Sequence, residues 1–74
     1  MFKFQFIYND KSYQEFEHIT KVKYFNAIDD VVVSENEILE HDFPVSCDMH
    51  LYAEGANYSA SCKGLKFISI TKED

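Results

Sequence analysis

Residues 2–8 read Phe2-Lys3-Phe4-Gln5-Phe6-Ile7-Tyr8, and their reading decides the fold. Phe2, Phe4, Phe6 and Tyr8 fall on one side of an extended chain, with Lys3 and Gln5 on the other. A side-chain period of two is the mark of a half-buried strand. Asn9-Asp10-Lys11 then reads as a turn. With a three-residue loop there, Phe4 comes to lie opposite Phe16, and Ile7 opposite Tyr13. Both pairs are favourable cross-strand contacts, so a second strand is expected over 12–17. Further strands are expected over 20–25 and 31–33, since three consecutive valines, Val31 to Val33, suit a strand better than a helix.

Ser34-Glu35-Asn36-Glu37 has the spacing of a capping box and predicts one or two helical turns over 35–40. Pro44 discourages continuation past Phe43. Alternation resumes over 45–53, with Val45, Cys47, Met49, Leu51 and Ala53 on one face. Glu54-Gly55 is the next turn, and 57–62 is its returning strand. A two-residue turn sets Leu51 opposite Tyr58, Met49 opposite Ala60, and Cys47 opposite Cys62 on the buried side. Leu65 to Thr71 is the last strand. The expected fold is all-β, one domain over 1–74: a small antiparallel sheet or open barrel of about six to seven short strands with one short helix near 35–40. SH3-like and OB-like barrels are both examples of such a closure.

A chain of 74 residues has room for one small core. With 46% hydrophobic and 16% aromatic residues it is too apolar for a disordered chain. No apolar run approaches the roughly 20 residues of a membrane-spanning helix. Lys3 and Gln5 also interrupt the N-terminal stretch too early for a secretory signal. Cys47 and Cys62 do not make a disulfide framework, and the expectation is a cytoplasmic protein with both as thiols. The chain uses lysine without a single arginine, together with many Asn, Ile, Phe and Tyr residues. In composition alone it is similar to small accessory proteins of phages and mobile elements from low-GC bacteria.

Charge is uneven. The net charge is −6, and all seven lysines lie within 3–23 or 63–72. The intervening stretch, 24–62, has no lysine and eight acids. Seven of these, Asp29, Asp30, Glu35, Glu37, Glu40, Asp42 and Asp48, are candidate partner-binding residues. Most cluster around a turn and a short helix, where backbone is normally at the surface. The plain alternative is a solvated, solubilising face. The functional reading is a docking rim for a basic protein partner, such as a nucleic-acid-binding protein whose groove takes these acids in place of phosphates.

No motif carries catalysis. Cys47 and His50 have the wrong strand parity for a C-x-x-H metal pair, and no metal or cofactor is expected. The thiols read as small core hydrophobes rather than nucleophiles, so the chain is read as a non-enzyme. Lys21-Val22-Lys23-Tyr24-Phe25 has the flavour of a single-strand-binding sheet, yet a net negative chain without arginine opposes phosphate binding. Nucleic-acid binding by a small barrel is therefore the weakest binding alternative, and no nucleic acid or membrane partner is expected. Apolar residues on both strand faces, among them Ile7, Tyr13, Phe25, Val31, Ile68 and Ile70, leave a self-assembling homo-oligomer as the main alternative.

Overall fold

Alternating phenylalanines do produce the first strand, and the rest of the sheet assembles on its partner. The computed structural model describes residues 1–74. Strand β1 is Phe2–Tyr8, β2 is Tyr13–Phe25, and β3 is Asp30–Ser34. A 3₁₀ helix, Glu35–Glu40, follows, then β4 (Met49–Ala53), β5 (Ala56–Ala60) and β6 (Leu65–Lys72). All six strands are antiparallel in one sheet of order β5-β4-β2-β1-β6, with β3 added on β2. No helix is long and apolar enough to cross a membrane.

The first hairpin has the expected register, with Phe4 opposite Phe16 and Ile7 opposite Tyr13. Its three-residue loop closes through Tyr8 N–H to the Ser12 carbonyl at 2.9 Å and Lys11 N–H to the Tyr8 carbonyl at 3.0 Å. Lys11 takes a φ of 72°, as the last loop position of such a hairpin requires. The Asp10 carboxylate accepts the Ser12 hydroxyl at 2.5 Å and the Ser12 backbone N–H at 2.9 Å, which together lower the Asp10 pKa.

The expected strands at 12–17 and 20–25 are one strand, β2. Phe2 pairs with Ile19 and Phe4 with Phe16, so β2 carries one extra residue against β1. Ile19 pairs with Ala53 and Lys21 with Tyr52, so it carries a second extra residue against β4. His18, with φ of 62°, is the positive-φ residue of the first bulge. Each bulge flips the side-chain parity, so Phe16, Ile19, Val22 and Tyr24 all reach the core side without strict alternation. Ile19 is paired to both β1 and β4, which therefore occupy opposite edges of β2. Residues Lys21–Tyr24 pair with both β3 and β4, so β1 and β3 follow one another along the same edge.

The concave side of this curled sheet is filled by Phe2, Phe4, Phe6, Ile19, Val22, Val33, Met49 and Leu51. No charged or polar residue is buried with them. Phe4 meets Phe43 edge-on at 5.6 Å, and Phe6 meets Phe16 at 5.5 Å. The 3₁₀ helix adds the fully buried Ile38 from one end. Ile68 and Ile70, expected to add to a second apolar face, pair with Phe6 and Phe4 and pack against this core.

Three local expectations are corrected. The helix starts without a capping box: the Ser34 hydroxyl donates to the Glu37 carboxylate at 3.0 Å rather than accepting a backbone N–H. The strand expected from 45 starts at Met49, and the strand expected to 62 ends at Ala60. The ladder closes at Met49 opposite Ala60, so Cys47 and Cys62 lie beyond it, half-buried. The reason is Asp48, whose side-chain oxygen takes the Cys62 N–H at 2.8 Å where a strand would have used a carbonyl.

The burial pattern predicts a sharp contrast between two phenylalanines. Phe4→Ala removes a fully buried ring and costs about 3–5 kcal/mol, a large share of the stability of a small domain. Phe67→Ala removes a ring that is 48% exposed and costs far less. Urea denaturation of both variants checks the contrast, and equal losses would refute the assignment of the two faces.

Candidate interaction surface

The β2–β3 turn is held by its own side chain. Asn26 Oδ1 accepts the backbone N–H groups of Ile28 at 3.1 Å and Asp29 at 2.8 Å. Asn26 N–H in turn donates to the Asp29 carbonyl at 3.1 Å. This hydrogen-bonded tip presents Asp29 and Asp30 to solvent, with Ile28, 82% exposed, between the two ends of the turn. Phe25 lies opposite Asp30, and Val32 two residues along the same outer face. Phe25 and Val32 are 58% and 55% exposed, so the hairpin combines carboxylates with bare apolar side chains.

At the other end of β3 the acids have varied roles. Glu35 forms an ion pair with the Met1 ammonium, and Glu37 accepts the Ser34 hydroxyl. Glu40 and Asp42 are exposed on either side of His41. The His41 ring is fixed by the Tyr24 hydroxyl at 2.7 Å from Nε2 and by Phe43, whose ring centroid is 4.7 Å away. Leu39 is also exposed there. All seven expected residues, Asp29, Asp30, Glu35, Glu37, Glu40, Asp42 and Asp48, are thus at the surface. They do not form one cluster. Asp30 and Asp48 line one hollow, and Glu35 and Glu40 line another. The carboxylates of Asp29, Asp30, Glu40 and Asp42 have no hydrogen-bond or ion-pair partner within the chain.

The first hollow has a volume of about 840 Å³ and is open to solvent. Lys23 and His50 share its wall with Asp30 and Asp48. Beside it Lys21 Nζ sits 4.4 Å from the centre of the Tyr52 ring, a cation–π contact between β2 and β4. Asp48 is held below the usual carboxylate range by the Cys62 backbone N–H and then by the Cys62 thiol. The same contact pushes the Cys62 thiol up. A thiol raised in this way is a poor nucleophile and a poor metal ligand. The Ser59 hydroxyl is 3.1 Å from His50 Nδ1, but both stand on an open strand surface.

Ile28 and Val32 escaped the sequence reading as surface residues. Ile28 carried a legible signal, because an isoleucine inside an Asn-Ala-Ile-Asp turn has no core to enter. Val32 did not, since its face depends on the β2–β3 register.

The role of Asp48 gives a pH-dependent expectation. Its pKa is lowered on folding, so the contact stabilises the fold above the ordinary aspartate range and is lost as the pH falls through the depressed value. Asp48→Ala is expected to melt below the wild-type chain at neutral pH, with the gap narrowing in acid. Thermal melts at stepped pH check this, and a gap independent of pH would show that the carboxylate charge plays no part.

Comparison with protein-family models, with curated proteins and with solved structures finds no match to this chain.

Proposed function

We propose that the chain is a small non-catalytic interaction module of the cytoplasm, docking a basic protein partner through the β2–β3 hairpin and the start of the loop after the 3₁₀ helix. The observation that carries this reading is the set of four carboxylates, Asp29, Asp30, Glu40 and Asp42, that have no partner within the fold. Phe25, Ile28 and Val32 stand exposed on the hairpin that carries Asp29 and Asp30, and Leu39 stands exposed next to Glu40. Exposed apolar anchors beside unpaired carboxylates suit recognition: the anchors supply buried area and the charges steer encounter. A phage or mobile-element accessory protein that blocks a nucleic-acid-binding protein is one form such a module takes.

A second observation supports self-association as the alternative. Tyr13, Ile7 and Phe67 are in register across β2, β1 and β6 on the outer face. Tyr13 is 63% exposed and Phe67 half-exposed, so the row is uncovered in a single chain. A solution mass equal to one chain would remove this alternative.

The combined variant Asp29→Asn, Asp30→Asn, Glu40→Gln and Asp42→Asn tests the main reading. Its melting temperature is expected to equal or exceed that of the wild type, because mutual repulsion is relieved. Association with the basic partner recovered from the native host is expected to slow markedly at low salt. Unfolding of the variant would make these carboxylates structural. Unchanged binding at low salt would reduce the acidic surface to solvation. The same charge argument predicts that a labelled oligonucleotide stays unbound at physiological salt, and a salt-sensitive mobility shift would overturn it.

A further inference from the structure

His18 occupies the first bulge of β2, and its imidazole lies between two carboxylates contributed by distant parts of the chain. Glu73, one residue past the end of β6, accepts the His18 backbone N–H at 3.1 Å with Oε1. The same oxygen is 3.1 Å from His18 Nδ1. A carboxylate only accepts hydrogen bonds, so this contact places the ring proton on Nδ1. With the proton on Nδ1, Nε2 is the ring atom left to serve as a metal ligand. Glu17 Oε2 lies 3.8 Å from Nε2.

Three ligand atoms, one each from Glu17, His18 and Glu73, lie within 4.8 Å of one another. Glu17 and His18 also line an open hollow of about 600 Å³ together with Glu54, which adds a second carboxylate to its wall. A histidine that gives one N–H to a carboxylate and offers its other nitrogen is the usual arrangement of a metal ligand, because the carboxylate sets both the tautomer and the ring orientation.

We propose that His18 Nε2 and the Glu17 carboxylate bind a divalent transition-metal ion, zinc above all, with Glu73 positioning the imidazole from behind. Zinc bonds nitrogen and oxygen at about 2.0–2.2 Å. A tetrahedral pair of such bonds spans roughly 3.4 Å between the ligand atoms, so Glu17 has only a few tenths of an ångström to move. Imidazole with carboxylate favours zinc over magnesium or calcium, which prefer all-oxygen shells. Water, or the Glu54 carboxylate across the hollow, completes the coordination. The bound ion links the β2 bulge to its neighbouring surface and offsets part of the net charge of −6.

Zinc chloride titrated into the full chain at neutral pH tests this, followed by calorimetry and by the ring resonances of the three histidines. One ion per chain is expected, with His18 signals moving while those of His41 and His50 stay in place. His18→Asn removes the imidazole but tolerates the positive φ, so the variant is expected to keep the fold and lose the site. Glu17→Gln is exposed and is expected to weaken binding without changing the circular dichroism. Glu73→Gln is expected to weaken it by about 10–100-fold. Excess magnesium or calcium is expected not to displace zinc. Absence of zinc binding, unchanged affinity in both His18→Asn and Glu17→Gln, or movement of His41 or His50 signals in place of His18 would each overturn the proposal.

Discussion

The structure depends on the two bulges of β2. A strand has only two edges, yet β2 serves β1, β3 and β4, and it does so by dividing one edge between β1 and β3. Each bulge inserts a residue that bends the strand and increases its twist. The bends let the first half of β2 lie over β1 while the second half turns toward β3 and β4. The core positions Phe16, Ile19, Val22 and Tyr24 record those bends as spacings of three, three and two residues. Without them a strictly alternating strand would send Ile19 or Val22 to solvent, and the concave face would lose residues that are now fully buried.

The bulge that shapes the core also shapes the surface. His18 has a positive φ because the extra residue sits there, and the same geometry lets its backbone and its ring both reach Glu73. At the far end of the sheet the carboxylate of Asp48 substitutes for a ladder carbonyl, ends the β4–β5 pairing and leaves Cys47 and Cys62 beside an open hollow. In both places a polar side chain replaces a regular backbone partner, and the sheet stops or bends accordingly. The acids divide along the same lines. Glu35, Glu37 and Asp48 are engaged with the Met1 ammonium, Ser34 and Cys62, whereas Asp29, Asp30, Glu40 and Asp42 face only solvent.

Three strands, β3, β5 and β6, have only one partner each, so their outer edges are not closed by the sheet. Edges of this kind invite pairing with other chains unless charge or irregularity blunts them. On β6 the register skips Lys66, which bulges out exposed between Leu65 and Phe67. On β3 Asp30 stands exposed at the first position, and Glu35 follows the last. β5 carries no charge at all, so its protection comes from its short length of five residues.

By itself the sequence determined the period of β1, the loop and register of the first hairpin, the Leu51–Tyr58 register of the β4–β5 hairpin and the short helix at 35–40. These are local properties: alternation, turn chemistry and spacing act over a few residues and need no knowledge of distant partners. It also determined the excess of acid between Asp29 and Asp48, because charge counting is independent of fold. The continuity of β2 was decided only in three dimensions. A bulge reverses side-chain parity, and in one dimension a reversal of parity looks the same as the end of one strand and the start of another. The fate of Cys47 and Cys62 was likewise tertiary, since the alternation of 45–53 permits a strand that the Asp48 side chain then cuts short. The meeting of His18 with Glu73, separated by 55 residues, follows from the return of β6 to β1 beside the bulge, a juxtaposition that no local pattern encodes.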